Sequence, residues 1–387
     1  MKKIFLKIIE KELAYFARLI YLKFRPFIIG ITGSSGKTTV RYMIYNLIAA
    51  SGKSVKSAQE NLNTETGLPL SILGLSRAPQ NAIEWVWVFI KIPFVYLFTF
   101  KYPETLILEY AADKPGDIGR LVDIASPDIA VITNFGVAHI EAFKTIDRII
   151  EEKWKLAQEA SQIIICPKQV LDKVSQKKQV RAKILSTGER NTAKAENIKY
   201  NTKGTSFDLY LLGKKFSADF SFWGDHNISN IEIASLAAAS IIGDSKKIAE
   251  AILNLEPQTG RGRRFMASKD ILVIDESYNA NPLSLAAALN NLKQVKFGRK
   301  VAIIGEMKEI EPIARVSHEK IANLAKQTAD VVIGVGDKFE GLGLDIWYPN
   351  VEELAYKLDD LLKSGDVVLV KGSHSVKLDK IIKKLEQ

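Results

Sequence analysis

The segment ITGSSGKTT, residues 31 to 39, combines glycines, one lysine and two threonines in the pattern of a phosphate-binding loop. It follows the apolar run FIIGIT and precedes a helical pattern, which is the setting that such a loop requires. Glycines let backbone N–H groups turn toward phosphate oxygens, the lysine reaches the β- and γ-phosphates, and a threonine holds Mg²⁺. A glycine-rich turn without nucleotide is the alternative. The sequence therefore predicts ATP and Mg²⁺ bound by Gly33, Ser34, Ser35, Gly36, Lys37, Thr38 and Thr39.

An acidic residue, Glu109, ends the apolar run TLILE. A carboxylate at the carboxyl end of a strand is well placed to ligate Mg²⁺ beside bound phosphates, because hard oxygen ligands suit this ion. A solvated acid at a strand end is the alternative. We expect Glu109 and Thr38 to be metal ligands, because phosphoryl transfer needs cations held around crowded oxygens.

These residues lie within two successive regions in which apolar, strand-like runs alternate with helical stretches. From Phe27 onward, runs such as FIIGIT, TLILEYA and DIAVITN alternate with helical patterns, which predicts parallel strands with crossover helices. From about Lys199 to Trp223 the pattern alternates like a hairpin, and we expect it at an edge of the same domain. The second region, with ILVIDES, KVAIIGE, ADVVIGV and DVVLVKG, begins near Ile271.

The predicted fold class is α/β, with a central P-loop ATPase-type domain around a mostly parallel sheet and a C-terminal Rossmann-like α/β domain. We place the boundary near Pro257 to Arg264. Residues 1–26 are assigned to an N-terminal amphipathic helix and 27–258 to the central domain, with an apolar insertion at about 80–101. Residues 259–387 are assigned to the C-terminal domain.

Composition excludes several classes of protein. With 387 residues, 47% of them hydrophobic and 25% charged, the chain has ample material for two or three cores and disorder is not expected. The net charge of +10 suits phosphorylated small molecules or anionic surfaces, but no recognition motif accompanies it, so no nucleic-acid partner is expected. The single cysteine, Cys166, excludes an internal disulfide, and no spacing resembles a zinc site, which predicts a cytoplasmic location.

Two apolar segments suit contact with the inner face of a membrane. The N-terminal segment, up to Pro26, mixes apolar residues with lysines and arginines at helical spacing, as in a helix on an anionic bilayer. Packing on its own domain explains that pattern equally well. The segment Trp85 to Phe100 is shorter than the roughly 20 residues that a span needs. Its aromatic residues suit a hairpin or half-helix among headgroups, and a buried core element or a dimer contact are the alternatives.

Several short segments, in one order along the chain, carry a resemblance to a known family. They are TGSSGKTT, NLNTETGLPL, LEYAA, NFGVAHIEAF, EEKWK, GDHNISN, GRGRRF, IDESYNANPLS, IGEMKEIE and VKGSHS. This set resembles the Mur ligases, and Y-N-A-N-P in particular resembles the branch that adds D-alanyl-D-alanine. Two positions depart from the pattern, since LEYAA has an alanine where glycine is usual and Lys155 stands where the branch has glutamate. The resemblance covers nearly everything from Phe27 to the end.

The resemblance implies roles for particular residues. His139 would be a ligand of a second Mg²⁺, and Lys153, once carbamylated by CO₂, would be an anionic metal ligand. A structural histidine and a surface lysine are the alternatives. With Lys37 and Glu109, these two residues form the expected catalytic set. The expected nucleotide-binding residues are His226, Asn227, Asn230, Arg261, Asp275 or Glu276, Tyr278 and Asn279. The expected substrate-binding residues are Asn61, Asn63, Thr64, Glu65, Asn281, Glu306, Lys371 and Ser373.

The activity implied by the resemblance is ATP-dependent ligation through an acyl phosphate. A muramoyl-peptide or similar carboxylate would be the acceptor, and D-alanyl-D-alanine or a similar amine would attack it. Complete members of the branch carry an N-terminal domain for the UDP-sugar, whereas about 26 residues precede the first strand here, so we expect that domain to be absent. The UDP group would then bind elsewhere or to a partner protein, or the carboxylate would differ. A ligase for another amino acid or acceptor and a non-ligating nucleotide-binding scaffold are the alternatives.

Overall fold

The structure, a computed structural model, describes residues 2–58, 62–99, 101–174, 179–201 and 204–387. Within these residues the strands form two six-stranded sheets and one three-stranded sheet, with helices on their faces. The predicted α/β class is confirmed.

The first sheet is parallel throughout. Its strands are β1 (Phe27–Thr32), β2 (Val55–Ser57), β3 (Thr105–Glu109), β4 (Ile129–Ile132), β5 (Ile163–Pro167) and β6 (Lys183–Thr187). They lie in the order β2-β3-β1-β4-β5-β6, so the carboxyl end of β1 meets those of β3 and β4. Ligand sites of open parallel sheets form at such carboxyl ends.

Helices cover both faces of this sheet. They are α1 (Lys2–Phe24), α2 (Lys37–Ala50), α3 (Gly67–Ile72), α4 (Ala82–Phe98), α5 (Asp117–Ile124), α6 (Ile140–Phe143), α7 (Ile146–Gln158), α8 (Lys168–Leu171), α9 (Asp225–Ile242) and α10 (Ser245–Ile252). Ile28 of β1 packs in a core cluster with α1, α3, α5 and α7, whereas Ile29 and Ile31 pack in a second cluster with α2 and α9. Strand β1 is therefore buried on both faces, which is why its sequence is a continuous apolar run.

The predicted hairpin belongs to a separate antiparallel sheet. Its strands are β7 (Ala193–Tyr200), β8 (Thr205–Leu211) and β9 (Lys214–Phe220), in that order. Leu212 and Gly213 join β8 to β9, both with positive φ, as a two-residue hairpin turn requires. Leu209 and Leu211 pack in the same core cluster as α9 and α10, so this sheet lies against the helices of the first one.

The C-terminal sheet has five parallel strands and one antiparallel edge strand. Its strands are β10 (Arg263–Ala267), β11 (Ile271–Asp275), β12 (Lys300–Gly305), β13 (Val331–Val335), β14 (Ile346–Tyr348) and β15 (Val367–Lys371). Its helices are α11 (Pro282–Lys293), α12 (Ala314–Thr328), α13 (Val351–Leu361) and α14 (Asp379–Leu385). In the order β10-β11-β15-β12-β13-β14, the carboxyl ends of β11 and β15 are adjacent.

The two apolar segments both form helices. In α1, Leu13, Ala17 and Ile20 are buried in the core of the first sheet, so its apolar face packs on its own domain. The segment from Trp85 onward forms α4, one helix, so the hairpin alternative is wrong; Phe100 lies outside the described residues. Among the described residues, we find no helix whose length and hydropathy would let it span a bilayer.

Candidate active site

A cleft of about 480 Å³ lies between the carboxyl ends of the first sheet and those of the C-terminal sheet. Many of the predicted site residues line it together. From the first domain these are Ser34, Ser35, Gly36, Lys37, Thr38, Thr39, Asn63, Glu109, His226, Asn227 and Asn230. From the C-terminal side they are Arg261, Glu276, Tyr278, Asn279, Asn281 and Lys371. Residues that the sequence places far apart thus share one cavity, which is lined by both the phosphate-loop lysine and Arg261.

Two glycines give the loop after β1 its shape. Gly33 has φ +152° and Gly36 has φ +79°, values that side chains disfavour. A Cβ atom at Gly33 would lie 1.9 Å from Thr133 Oγ1, and one at Gly36 would lie 2.8 Å from Asn230 Oδ1. The loop can approach β4 and α9 this closely only because both positions lack a side chain.

Asn134, just after β4, orders the same loop. Its Oδ1 accepts from the Ser35 N–H at 3.0 Å, and its Nδ2 donates to the Ser35 carbonyl at 3.0 Å. The Ser34 hydroxyl donates to the carbonyl of Gly136 at 2.8 Å. Sequence analysis did not single out Asn134, although it begins the quoted segment NFGVAHIEAF, and its position after a strand was the available signal.

Lys37 begins α2 and lies at the centre of the loop. Its Nζ donates to the carbonyl of Gly33 at 2.8 Å. Burial lowers the pKa of the Lys37 ammonium, while the Glu109 carboxylate opposes that effect. A partly buried lysine tied to its own loop presents a fixed amine to any phosphate in the cleft.

Glu109, at the end of β3, has three polar neighbours. Its Oε1 lies 2.7 Å from Nε of Arg41, a buried ion pair that sequence analysis missed. Its Oε2 accepts from Oγ1 of Thr38 at 3.3 Å and from Nδ2 of Asn63 at 3.4 Å. A carboxylate beside a threonine hydroxyl fits Mg²⁺, which keeps few protein ligands and completes its shell with phosphates and water.

His139 precedes α6 and adopts φ +53°, an uncommon conformation for this residue type. Its Nδ1 lies 3.2 Å from Oε2 of Glu309, a residue of the C-terminal domain, and its Nε2 lies 3.5 Å from Oδ1 of Asp113. Burial lowers the pKa of the imidazole, whereas Asp113 and Glu309 act in the opposite direction. His139 therefore contacts both domains beside the cleft without lining it.

Lys153 lies in α7 with a side chain that is 2% exposed, which excludes the surface-lysine alternative. Burial, together with the nearby Lys37 cation, lowers the pKa of its amine to about 7. A neutral amine is the form that can react with CO₂. Among the described residues, no group of three or more aspartate, glutamate, histidine or cysteine side chains is arranged to hold a metal ion.

Glu276 follows β11 and forms two ion pairs inside the cleft. Its Oε1 lies 2.9 Å from Nε2 of His226, and its Oε2 lies 3.1 Å from Nζ of Lys371. Burial raises the pKa of Glu276, but the Lys371 and His226 charges outweigh it and hold the pKa at about 2. The neighbouring acid, Asp275, is fully buried and accepts from the backbone N–H of Gly260 at 2.8 Å. Of the two acids that the sequence could not separate, only Glu276 faces the cleft.

Arg261 and the start of α9, which lies beside Gly36 of the loop, also line the cleft. The Arg261 guanidinium stacks on Tyr278, 3.8 Å from the ring centroid, and burial lowers its pKa. In α9, Nδ2 of Asn227 donates to the carbonyl of Trp223 at 2.8 Å, and Nδ2 of Asn230 donates to Oδ1 of Asn227 at 3.2 Å. These bonds fix the rim of the cleft near Gly36.

The predicted substrate-binding residues of the first domain lie partly outside the cleft. Asn63 lines it, but Thr64 Oγ1 accepts from the N–H of Gly67 at 3.3 Å at the start of α3. Glu65 is ion-paired with Arg120. Asn61 lies outside the described residues.

The remaining predicted substrate-binding residues belong to the C-terminal domain. Asn281 caps α11 and donates through Nδ2 to the carbonyl of Ser34 at 3.2 Å, so it joins the two domains. Glu306 accepts from the N–H of Lys338 at 2.8 Å, and Oγ of Ser373 accepts from the N–H of Lys308 at 3.0 Å. These two side chains order their own loops and do not line the cleft.

A further residue that sequence analysis missed is Glu152. Its carboxylate accepts from the N–H groups of Gly116 and Ile118, both at 2.9 Å, and so caps the start of α5. Lys155, the departure noted in EEKWK, pairs with the same carboxylate at 2.7 Å. A helical acid that caps a different helix leaves no signal in the local sequence.

Comparison with known proteins identifies relatives that match both domains. The family model of the Mur ligase middle domain matches residues 31–239, and that of the Mur ligase, glutamate ligase domain matches residues 260–374. The UDP-N-acetylmuramoyl-tripeptide–D-alanyl-D-alanine ligase of Buchnera aphidicola is 27% identical over 376 residues, which cover 92% of this chain and 76% of the relative.

Solved structures give the same result. The MurF ligase of Thermotoga maritima in complex with ADP has 27% identity and a TM-score of 0.81, and the match covers 97% of this chain and 83% of that one. The folylpolyglutamate synthase of Mycobacterium tuberculosis has 16% identity, a TM-score of 0.69 and coverage of 97% and 95%, a likeness of fold alone. Because the middle-domain model matches more than half of the chain, the sequence-based resemblance is confirmed and the chain belongs to the Mur ligase family.

Proposed function

We propose that the chain is an ATP-dependent ligase that adds D-alanyl-D-alanine to a UDP-N-acetylmuramoyl-tripeptide. The observation that carries the proposal is the shared cleft, where the phosphate loop and Glu109 face Arg261, Glu276 and Lys371. Relatives named for this activity match 92% of the chain, and a related MurF ligase is known in complex with ADP. Site and relatives thus support the same chemistry.

In this proposal the nucleotide binds between the two domains. Lys37 of the first domain and Arg261 at the start of the C-terminal domain neutralise phosphate charge, and Glu276, held between His226 and Lys371, accepts from the ribose hydroxyls. Thr38 and Glu109 would hold Mg²⁺, which when bound stabilises charge on the phosphate oxygens. His139 and a carbamylated Lys153 are proposed as ligands of a second ion.

The reaction then has two steps. A carboxylate oxygen of the acceptor bonds to the γ-phosphorus of ATP while the bond from that phosphorus to ADP breaks, and an acyl phosphate forms. The amine nitrogen next bonds to the acyl carbon, phosphate leaves with the electron pair of the C–O bond, and the nitrogen releases a proton. Two domains that enclose the cleft raise the effective concentration of the amine and protect the acyl phosphate from water.

The test is phosphate release from ATP and Mg²⁺ with UDP-N-acetylmuramoyl-tripeptide, with and without D-alanyl-D-alanine. We expect release to depend on the dipeptide and mass analysis to find the pentapeptide product. Turnover only with another amine or acceptor would assign a different ligase activity. Nucleotide binding without any amine-dependent release would instead indicate a scaffold.

A further inference from the structure

The solvent-facing side of α4 is apolar along its whole length. Ile83, Trp87, Ile90, Phe94 and Leu97 recur at intervals of four and three residues, so they share one face of the helix. All five are exposed; Ile83 is 72% exposed, Trp87 65% and Phe94 59%. This row of five side chains is the outer stripe of α4.

The opposite side of α4 is apolar as well. Val88 and Ile92 are buried in the core of the first sheet, and Trp85, Phe89 and Val95 pack against that core. A surface helix of a globular protein normally shows a polar face to water, and a helix that is apolar all round is covered on all sides. No other part of the described chain covers the outer stripe, and an exposed apolar surface of this kind marks an interaction site.

A groove of about 740 Å³ lies beside the outer stripe and shares three of its residues. Trp87, Ile90 and Phe94 form part of its lining, and so do the charged residues Lys91, Arg77 and Glu84. Arg77 is ion-paired with Glu84 at 2.9 Å, whereas Lys91 is exposed. The groove is thus lined by apolar side chains together with the amine of Lys91.

Helix α1, which packs beside α4, adds positive charge. Its 23 residues include six lysines and arginines but two glutamates. Lys7, Lys11 and Arg18 are exposed and share a face with the exposed Tyr15 and Leu22. At the carboxyl end of the helix, Lys23 donates to the carbonyl of Tyr96 in α4 and lies over the rings of Phe24 and Tyr96, 4.9 and 5.1 Å from their centroids. The two helices therefore combine an apolar stripe with cations.

We propose that α4 and α1 form a docking surface for an anionic phospholipid bilayer. The outer stripe of α4 lies among the headgroups and upper acyl chains, and Lys91 and the cations of α1 contact lipid phosphates. Amphipathic elements that lie in the interface combine these two features, an apolar face with aromatic residues and adjacent lysines and arginines.

A second copy of the chain is a poorer occupant of the same surface. In a two-fold dimer the same patch faces itself, so Lys91 and the α1 cations of one copy would oppose those of the other. An anionic surface instead pairs with each of these charges, at about 1 kcal/mol per cation. Charge complementarity therefore favours the bilayer.

The test is sedimentation of the full chain with vesicles of phosphatidylcholine and phosphatidylglycerol in equal parts, compared with phosphatidylcholine alone. We expect binding to the anionic vesicles that weakens with salt. Trp87→Ser with Phe94→Ser should lower the partition coefficient by about tenfold or more, because two exposed aromatic side chains lose their apolar contact. Tyr356→Ser, which changes a side chain 80% exposed on the C-terminal domain, is the matched control and should bind like the wild type.

Three outcomes would overturn the proposal. The first is no binding of the wild type to anionic vesicles, and the second is equal binding by the Trp87→Ser/Phe94→Ser variant. The third is a dimer in sedimentation equilibrium that this variant abolishes, which would assign the stripe to a second copy. Ligase turnover without vesicles is expected to be unchanged in the variant, so failure of lipid binding and failure of the proposed activity are separate results.

Discussion

At the scale of single residues, Glu109 combines a structural contact with a proposed metal-binding role. Its pair with Arg41 is almost fully buried, with side-chain exposures of 2% for Glu109 and 4% for Arg41. Breaking such a pair from one side leaves an uncompensated charge and costs about 3 kcal/mol or more. A loss of activity in a variant of Glu109 alone could therefore come from lower stability of the fold or from loss of the proposed metal ligand.

We expect Glu109→Gln to lower both stability and ATP-dependent phosphate release, the latter by about 100-fold or more. The double variant Arg41→Met/Glu109→Gln removes both charges and should recover most of the stability without recovering turnover. Urea unfolding and phosphate release measure the two effects. Glu104→Gln, at an exposed position just before β3, is the control and should resemble the wild type. Recovery of turnover in the double variant would refute the metal-binding role.

Lys153 permits a second prediction at this scale. Burial and Lys37 hold the pKa of its amine near 7, so a substantial fraction is neutral at neutral pH and can bond to the carbon of CO₂, releasing a proton to form a carbamate. We expect turnover to fall after CO₂ is removed from the buffer and to return with bicarbonate.

The matched variants are Lys153→Met and Lys155→Met. Lys153→Met should lose about 100-fold or more in turnover with or without bicarbonate, because methionine cannot form the anionic ligand. Lys155→Met changes a lysine two positions away that is half exposed, and it should keep near wild-type turnover. Wild-type activity that is indifferent to CO₂ would exclude carbamylation.

Single residues also show where sequence reasoning stopped. Asp275 and Glu276 are adjacent acids, and their side-chain types suit the same ribose contact. Their hydrogen bonds separate them, since Asp275 accepts from Gly260 and Ser277 whereas Glu276 pairs with His226 and Lys371. The partners of Glu276, His226 and Lys371, are distant in the sequence from both acids, so local patterns could not choose between them.

At the scale of elements, fully buried strands and the alternating strands of the hairpin were predicted, whereas the short edge strand β2 was missed. Strands β1, β3 and β4 are continuous apolar runs because helices cover both faces. Strand β2, with the sequence VKS and partial burial throughout, has no such pattern. Its place at the sheet edge is set by pairing with β3, a tertiary contact that local sequence does not contain.

The packing of α9 on β7 gives a prediction about pH. Glu232 of α9 accepts from the N–H of Ala195 in β7 at 2.6 Å, and burial raises its pKa from 4.5 to about 7. Between these values the folded state keeps a proton that the unfolded state has lost, so stability falls as pH rises from about 4.5 to about 7.

Glu232→Gln keeps an acceptor for Ala195 but cannot ionise. We expect it to raise the free energy of unfolding by about 3 kcal/mol at pH 8 and to have little effect near pH 4.5. Denaturant unfolding at the two pH values measures the difference. Glu250→Gln, at an exposed position in α10, controls for loss of a surface charge. A gain of equal size at both pH values would contradict the burial argument.

At the scale of the whole molecule, the site depends on how the two domains face each other. His139 contacts Glu309, His226 contacts Glu276, and Asn281 contacts Ser34 across the cleft. The phosphate-loop pattern together with the family resemblance implied that Ser34, His139, His226, Glu276 and Asn281 serve one site, whereas Glu309 was not among the expected residues. The pairing itself could not be predicted, because it depends on the relative placement of two separately folded sheets.

Substitutions of Asn281 can distinguish the effect of the contact between domains from the effect of the α11 cap on stability. Its Oδ1 accepts from the N–H of Ser284 as the cap of α11, and its Nδ2 donates to the Ser34 carbonyl in the phosphate loop. Serine is an equally good cap but is too short to reach Ser34. We expect Asn281→Ser to keep the stability of the wild type within about 0.5 kcal/mol and to lower kcat/KM for ATP several-fold, whereas Asn281→Ala should also lose about 1 kcal/mol of stability. If Asn281→Ser turns over ATP like the wild type, the bond to Ser34 does not contribute to the closed arrangement, and closure must rest on the His139 and Glu276 contacts.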